Sequence, residues 1–261
     1  MKFPTVLLLL ATAAPAPAGL TPKQMAAAEA TEAFSVPSPA EFFAAIDKAG
    51  KPDWAAFYRE PVPTTYPTRP QTAVNLGALV ADGFVAVEAE DGQQVKNTGK
   101  DIIALARALG VGENVLARGK SISDFADKND WFALREELEA TANEVRRAMA
   151  DQRDEAMSSL ITAGAWIRAL DVGSRAALLA GEPPTAGLLA QPDLADFLRT
   201  ELQKLPDKAL GDPVTGRVEV TLAALREQMT TPDAAPPGPE RIEAIHSATS
   251  SLIAELSAKQ P

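Results

Sequence analysis

Apolar side chains return every three to four positions along most of this chain, the spacing of one face of an α-helix. From Pro70 to Glu90, Val74, Gly77, Ala78, Ala81, Phe84 and Val85 share such a face. Trp131, Leu134, Leu138, Ala142, Val145 and Met149 form a single stripe with Arg and Glu on the other faces. The stripe fades over residues 151–155 and returns at Leu160, Gly164, Ile167 and Leu170, so residues 130–180 read as one long helix or as two. Val218, Leu222 and Leu225, and then Ile242, Ile245, Thr249, Leu252 and Leu256, repeat the pattern. Such faces leave water only by packing on one another. The expected fold is all-α, a multi-helix bundle of roughly eight to ten helices.

Start and stop signals frame these segments. Thr21-Pro22-Lys23-Gln24 and Ser38-Pro39-Ala40-Glu41 have capping-box spacing with proline in the first turn, and Gly50 closes the second helix. Thr98 to Asp101 and Ser121 to Asp124 predict two further helix starts, with Gly110 ending the first. Pro183-Pro184 is a stop, and shorter helices are expected over 186–191 and 193–204. Prolines 52, 61, 63, 67 and 70 predict a short helical turn at 53–59 and an extended connector over 59–70. Residues 231–238 read as a proline-rich loop. Gly77 and Gly83 each cost a helix about 1 kcal/mol relative to alanine, which close approach of a neighbouring helix would offset.

The N-terminus adds a location. Lys2, an apolar run over 6–14 and the small-x-small string Ala16-Pro17-Ala18 predict a cleaved signal peptide at 1–18, leaving 19–261 as a single helical domain in the periplasm or outside the cell. No second long apolar run follows, so no transmembrane segment is expected in the mature chain. The chain has no cysteine, which excludes disulfides and thiolate chemistry. Its net charge of −10 argues against nucleic acid and anionic membranes as partners.

The run Asn75-Leu76-Gly77-Ala78-Leu79-Val80-Ala81-Asp82-Gly83-Phe84, followed by Leu160-Ile161-Thr162-Ala163-Gly164-Ala165-Trp166-Ile167, resembles a layout in uncharacterised exported helical proteins and lipoproteins of Gram-negative bacteria. The resemblance covers about residues 70–170. It implies an exported helical fold and no particular activity. This chain departs from the lipoproteins in lacking the lipid-bearing cysteine.

No motif carries a cofactor or a metal. Gly92 to Gly99-Lys100 and Gly112 to Gly119-Lys120-Ser121 have six residues between their glycines where a phosphate loop needs four. Asp127 and Asn129 begin a calcium-loop spacing, but Trp131 and Leu138 stand where oxygen ligands belong. His246 is the single histidine; it sits at the edge of an apolar stripe and reads as a half-buried boundary residue.

The candidate ligand- or partner-binding residues are Trp54, Tyr58, Tyr66 and Asp82. The three rings lie in a stiff proline-rich stretch, where anchors cost little entropy on binding; the ordinary alternative is that they fold back onto the core. Asp82 interrupts an apolar helix, where a carboxylate must be exposed or paired. The expected function is a non-catalytic binding or scaffold role in the cell envelope, toward an unidentified protein or small molecule. The alternatives are a carboxylate-dependent hydrolase of envelope or extracellular polymers, and a carrier of a small apolar ligand.

Overall fold

A computed structural model describes residues 36–180, 185–232 and 235–258, apart from the side chain of Asn114. The expected signal segment and the helix expected after Thr21 lie outside the described residues. The described chain is built from ten α-helices: α1 Pro39–Gly50, α2 Arg69–Glu88, α3 Gly92–Ala108, α4 Gly112–Asp127, α5 Trp131–Asp151, α6 Glu155–Ala180, α7 Pro192–Gln203, α8 Asp207–Leu210, α9 Pro213–Met229 and α10 Pro239–Ser257. Two 3-10 turns, Trp54–Phe57 and Ala186–Leu189, lie between them, and no strand occurs among the described residues. None of these helices is long and apolar enough to cross a membrane.

The helix ends follow local chemistry. Ser38 forms the full capping box with Glu41: its hydroxyl accepts from the Glu41 amide at 3.2 Å, and its own amide donates to Glu41 Oε2 at 2.9 Å. Thr68, Asp91 and Asp130 accept from the amides of Gln71, Gln94 and Ala133 to start α2, α3 and α5. Proline stands in the first turn of α1, α2, α7, α9 and α10. Left-handed residues close several helices, Glu90, Gly110 and Arg153 (φ 53°, 89° and 56°) among them. Arg153 decides the 130–180 question in favour of two helices.

Two expected helix starts move. The helices expected from Thr98 and Ser121 begin earlier, at Gly92 and Gly112. The supposed glycine loops are therefore helix, and beyond the first turn their amides serve helical hydrogen bonds. The interior glycines are contact points. A Cβ on Gly99 of α3 would stand 3.5 Å from Ile122, and one on Gly119 of α4 would stand 2.5 Å from the end of Ile103.

At the centre, α2 packs along α6, and both are buried on nearly every side. Two glycines set their separation. A Cβ on Gly77 would lie 2.0 Å from the Ile161 carbonyl oxygen, and one on Gly164 would lie 2.1 Å from the Val74 carbonyl oxygen. The backbones thus touch directly, and the close approach anticipated at Gly77 is present. Around this pair α3, α4 and α5 pack in succession on one side, while α10 lies on α6 and α9 bridges α10 to α7.

The end of α10 is tied to α2. The Leu256 carbonyl accepts from Gln71 Nε2 at 2.8 Å and from Asn75 Nδ2 at 2.9 Å, both from buried side chains. Carbonyls at a helix C-terminus lack intrahelical partners, and these two amides supply them. The proline-rich connector then crosses from Tyr58 to Thr68 with no helix of its own.

Candidate functional site

The central helices carry charges inside apolar runs. On α2, Asp82 is the one position from Pro70 to Val87 not fully buried, and its side chain is only 14% exposed. On α6, Arg168 and Asp171 sit one turn apart and are both buried. A buried ion costs several kcal/mol unless it is paired and hydrogen-bonded. Each of these ions is.

Arg168 Nε donates to Asp82 Oδ1 at 2.8 Å, its Nη1 pairs with Asp171 Oδ2, and its Nη2 donates to the Phe57 carbonyl at 2.6 Å. From the connector, Arg59 places Nε 2.9 Å from Asp82 Oδ2 and pairs with the same oxygen through Nη2. Its Nη1 donates to Ser257 Oγ at 3.1 Å, and that hydroxyl donates to Asn75 Oδ1 at 2.9 Å. One network therefore joins the connector, α2, α6 and the end of α10. Burial alone would raise the Asp82 carboxyl, but the Arg59 and Arg168 guanidiniums outweigh it and hold Asp82 below the usual carboxylate range.

The network ends in a carboxylate–imidazole pair. His246 on α10 places Nδ1 3.2 Å from Asp171 Oδ1. Both atoms are buried with no other polar partner, so the contact becomes an ion pair when the ring is protonated. Asp171 raises the His246 pKa, burial works against it, and the Asp171 charge adds to the rise.

A cleft of about 480 Å³ opens above this pair, between connector residues 57–62 and the faces of α6 and α10. His246, Arg175 and Arg168 line its polar side, and Val62, Ile253 and Ala254 its apolar side. Arg175 is exposed, stands 5.8 Å over the Phe57 ring, and makes no hydrogen bond or ion pair among the described residues. A smaller recess of about 200 Å³ lies across the connector, with Asp82 and Asp101 in its wall. Burial raises the Asp101 pKa.

The four sequence-predicted residues fall in different surroundings. Trp54 is buried: its ring packs 5.4 Å from Phe43 and 5.8 Å from Phe57, and its Nε1 donates to Asp47 at 3.2 Å. The three rings therefore do not form one exposed surface. Tyr58 is half-buried, donates to Asp91 Oδ2 at 3.4 Å and lines both concavities; burial, with Asp91 beside it, raises its pKa. Tyr66 is half-buried against the core with its hydroxyl enclosed, and burial pushes its pKa up to about 12. Asp82 is the paired carboxylate at the middle of the network.

His246 was legible as a half-buried residue, and that is its position. Its partner was not, because Asp171 lies on another helix. The available signal was Arg168 and Asp171, two opposite charges at i and i+3 inside an otherwise apolar run. Among the described residues no cluster of three or more His, Asp or Glu side chains could hold a metal ion. No family model, curated protein or solved structure matches the chain.

Proposed function

We propose that this is an exported, non-catalytic binding protein of the cell envelope, taking a small ligand in the cleft between the connector, α6 and α10. One observation carries the reading. The cleft wall is braced to the core by Arg59 and Arg168, while Arg175, unpaired among the described residues, and the His246 ring face the open space. Walls held in place before binding lower the entropy cost of capture, and a few convergent polar groups beside apolar surface are the usual make-up of a ligand site.

Ala254 provides the test. It is exposed and lines the cleft, so Ala254→Trp fills the space without entering the core. Compounds that raise the melting temperature of the wild-type chain should lose that effect in the variant, whose own melting temperature stays near wild type. Hits that stabilise both proteins equally would remove the cleft from consideration. The export half of the proposal is supported by the apolar run at 6–14 and the Ala16-Pro17-Ala18 string. N-terminal sequencing of the protein from its native host should begin near Gly19; a cytosolic form retaining Met1 would contradict it.

A further inference from the structure

Building on that reading of the cleft, we infer that its ligand carries a single carboxylate, clamped between Arg175 and the protonated ring of His246, with a short apolar portion lying along Val62, Ile253 and Ala254.

The charge inventory of the cleft leads there. Asp82 and Asp171 are its inner acids, and Arg59 and Arg168 already engage them. Arg175 is left over: a guanidinium at the cleft with no ion pair among the described residues, in a chain whose acids outnumber its bases 35 to 25. Arg175 lies over the Phe57 ring at 5.8 Å and lines the cleft, so its N–H donors are available to an anion held there.

His246 is the second half of the clamp. The charged groups that act on it are Asp171 and Arg175 from α6 and Glu243 one turn back on α10, and Arg168 from α6 with Arg59 and Glu60 from the connector line the same cleft. Asp171 Oδ1, 3.2 Å from Nδ1, favours a proton on that nitrogen. In the neutral ring Nε2 is then an acceptor and useless to an anion; in the protonated ring it is a donor. An arriving carboxylate supplies the charge that makes protonation favourable and offsets Arg175, whose charge opposes it.

The same inventory limits the anion. Glu60 and Glu243 are both exposed near the cleft, and like charge there disfavours a dianion. Two donors suit the two oxygens of a carboxylate, and the apolar lining gives a hydrocarbon portion its place.

The test is calorimetry on the full chain with hexanoate, 1-hexanol, hexylamine and hexyl phosphate. Hexanoate should bind at least about tenfold tighter than 1-hexanol, and Arg175→Ala should weaken hexanoate about tenfold to a hundredfold while leaving 1-hexanol unchanged. Hexanoate affinity should fall as pH rises through the His246 titration, and His246→Gln should flatten that dependence. Arg175 is exposed, so its variant should keep the wild-type melting temperature.

Hexyl phosphate or hexylamine binding tighter than hexanoate would overturn the carboxylate assignment. So would hexanoate binding that ignores Arg175. If 1-hexanol matches hexanoate and Ala254→Trp abolishes both, the cleft remains a binding site and the charge inference alone fails. If none of the four probes, nor acetate or decanoate, binds at millimolar concentration, the inference and the reading beneath it fall together.

Discussion

Replacing Gly77 with alanine tests the organisation of the core. In an ordinary helix interior this change stabilises by about 1 kcal/mol, because glycine loses more backbone entropy on folding. Here the new Cβ would meet the Ile161 carbonyl oxygen at 2.0 Å and the Ala165 nitrogen at 2.7 Å. A comfortable carbon–oxygen contact needs about 3.3 Å. Both obstacles are backbone, so no rotamer change relieves them, and α2 and α6 must move apart by roughly 1 Å. A gap of that size forfeits about a quarter to a half of each dispersion contact across the interface. The net cost should reach about 3 kcal/mol, the upper end of overpacking penalties. Gly164→Ala, with its Cβ 2.1 Å from the Val74 carbonyl, should cost a similar amount. Because either change forces the same separation, the double variant should lose less than the sum.

Urea denaturation followed by circular dichroism at 222 nm reads these differences directly. Gly216→Ala is the internal control. It lies in the first turn of α9 with nothing within 4 Å of its Cβ, so it should stabilise by about 0.5 to 1 kcal/mol. A Gly77→Ala protein with a midpoint at or above wild type would refute the backbone contact between α2 and α6.

Asp82→Asn should destabilise by about 3 to 5 kcal/mol in the same denaturation assay, because it leaves Arg59 and Arg168 without their shared counter-ion. Asp82 is held below the ordinary carboxylate range, so its contribution is present above about pH 3.9 and is lost as pH falls through the folded value; the variant should show a flatter acid limb. The His246 pKa is raised on folding, so its contribution is complete below about pH 6.5 and disappears as pH rises through the folded value. Asp171→Asn should bring that pKa down, a change visible in the ring proton shifts by NMR. Asn75→Ala should cost about 1 to 3 kcal/mol and speed hydrogen exchange in the last turn of α10, whose Leu256 carbonyl loses one of its two side-chain donors.

Most of the architecture could be read from residue patterns, and the misreadings have physical causes. The stripes from Trp131 to Met149 and from Ile242 to Leu256 became α5 and α10 because each needs only one apolar face. The starts of α3 and α4 were misplaced because Gly92, Gly99, Gly112 and Gly119 resemble loop residues, and a packing role for glycine depends on what lies opposite. Asp91 was the better guide, since its side chain caps α3 at Gln94. At the site, Asp82 stood out as a carboxylate in an apolar helix, yet its two arginine partners lie 23 residues upstream and 86 downstream. Trp54 was singled out as an anchor and serves the core instead, beside Phe43 and Phe57. Local pattern reports which positions avoid water; it does not report which charges meet.

Arg59 gives the connector an unusual kinetic character. The segment has no helix of its own, and such stretches are ordinarily where a protease first cuts. Here the side chain that trypsin must grip is only 15% exposed and locked against Asp82 and Ser257. Presenting that bond to an enzyme means releasing Arg59 from both Asp82 on α2 and Ser257 on α10, so digestion after Arg59 should wait on that opening, while Lys128, exposed in the turn after α4, is open to attack in the native state.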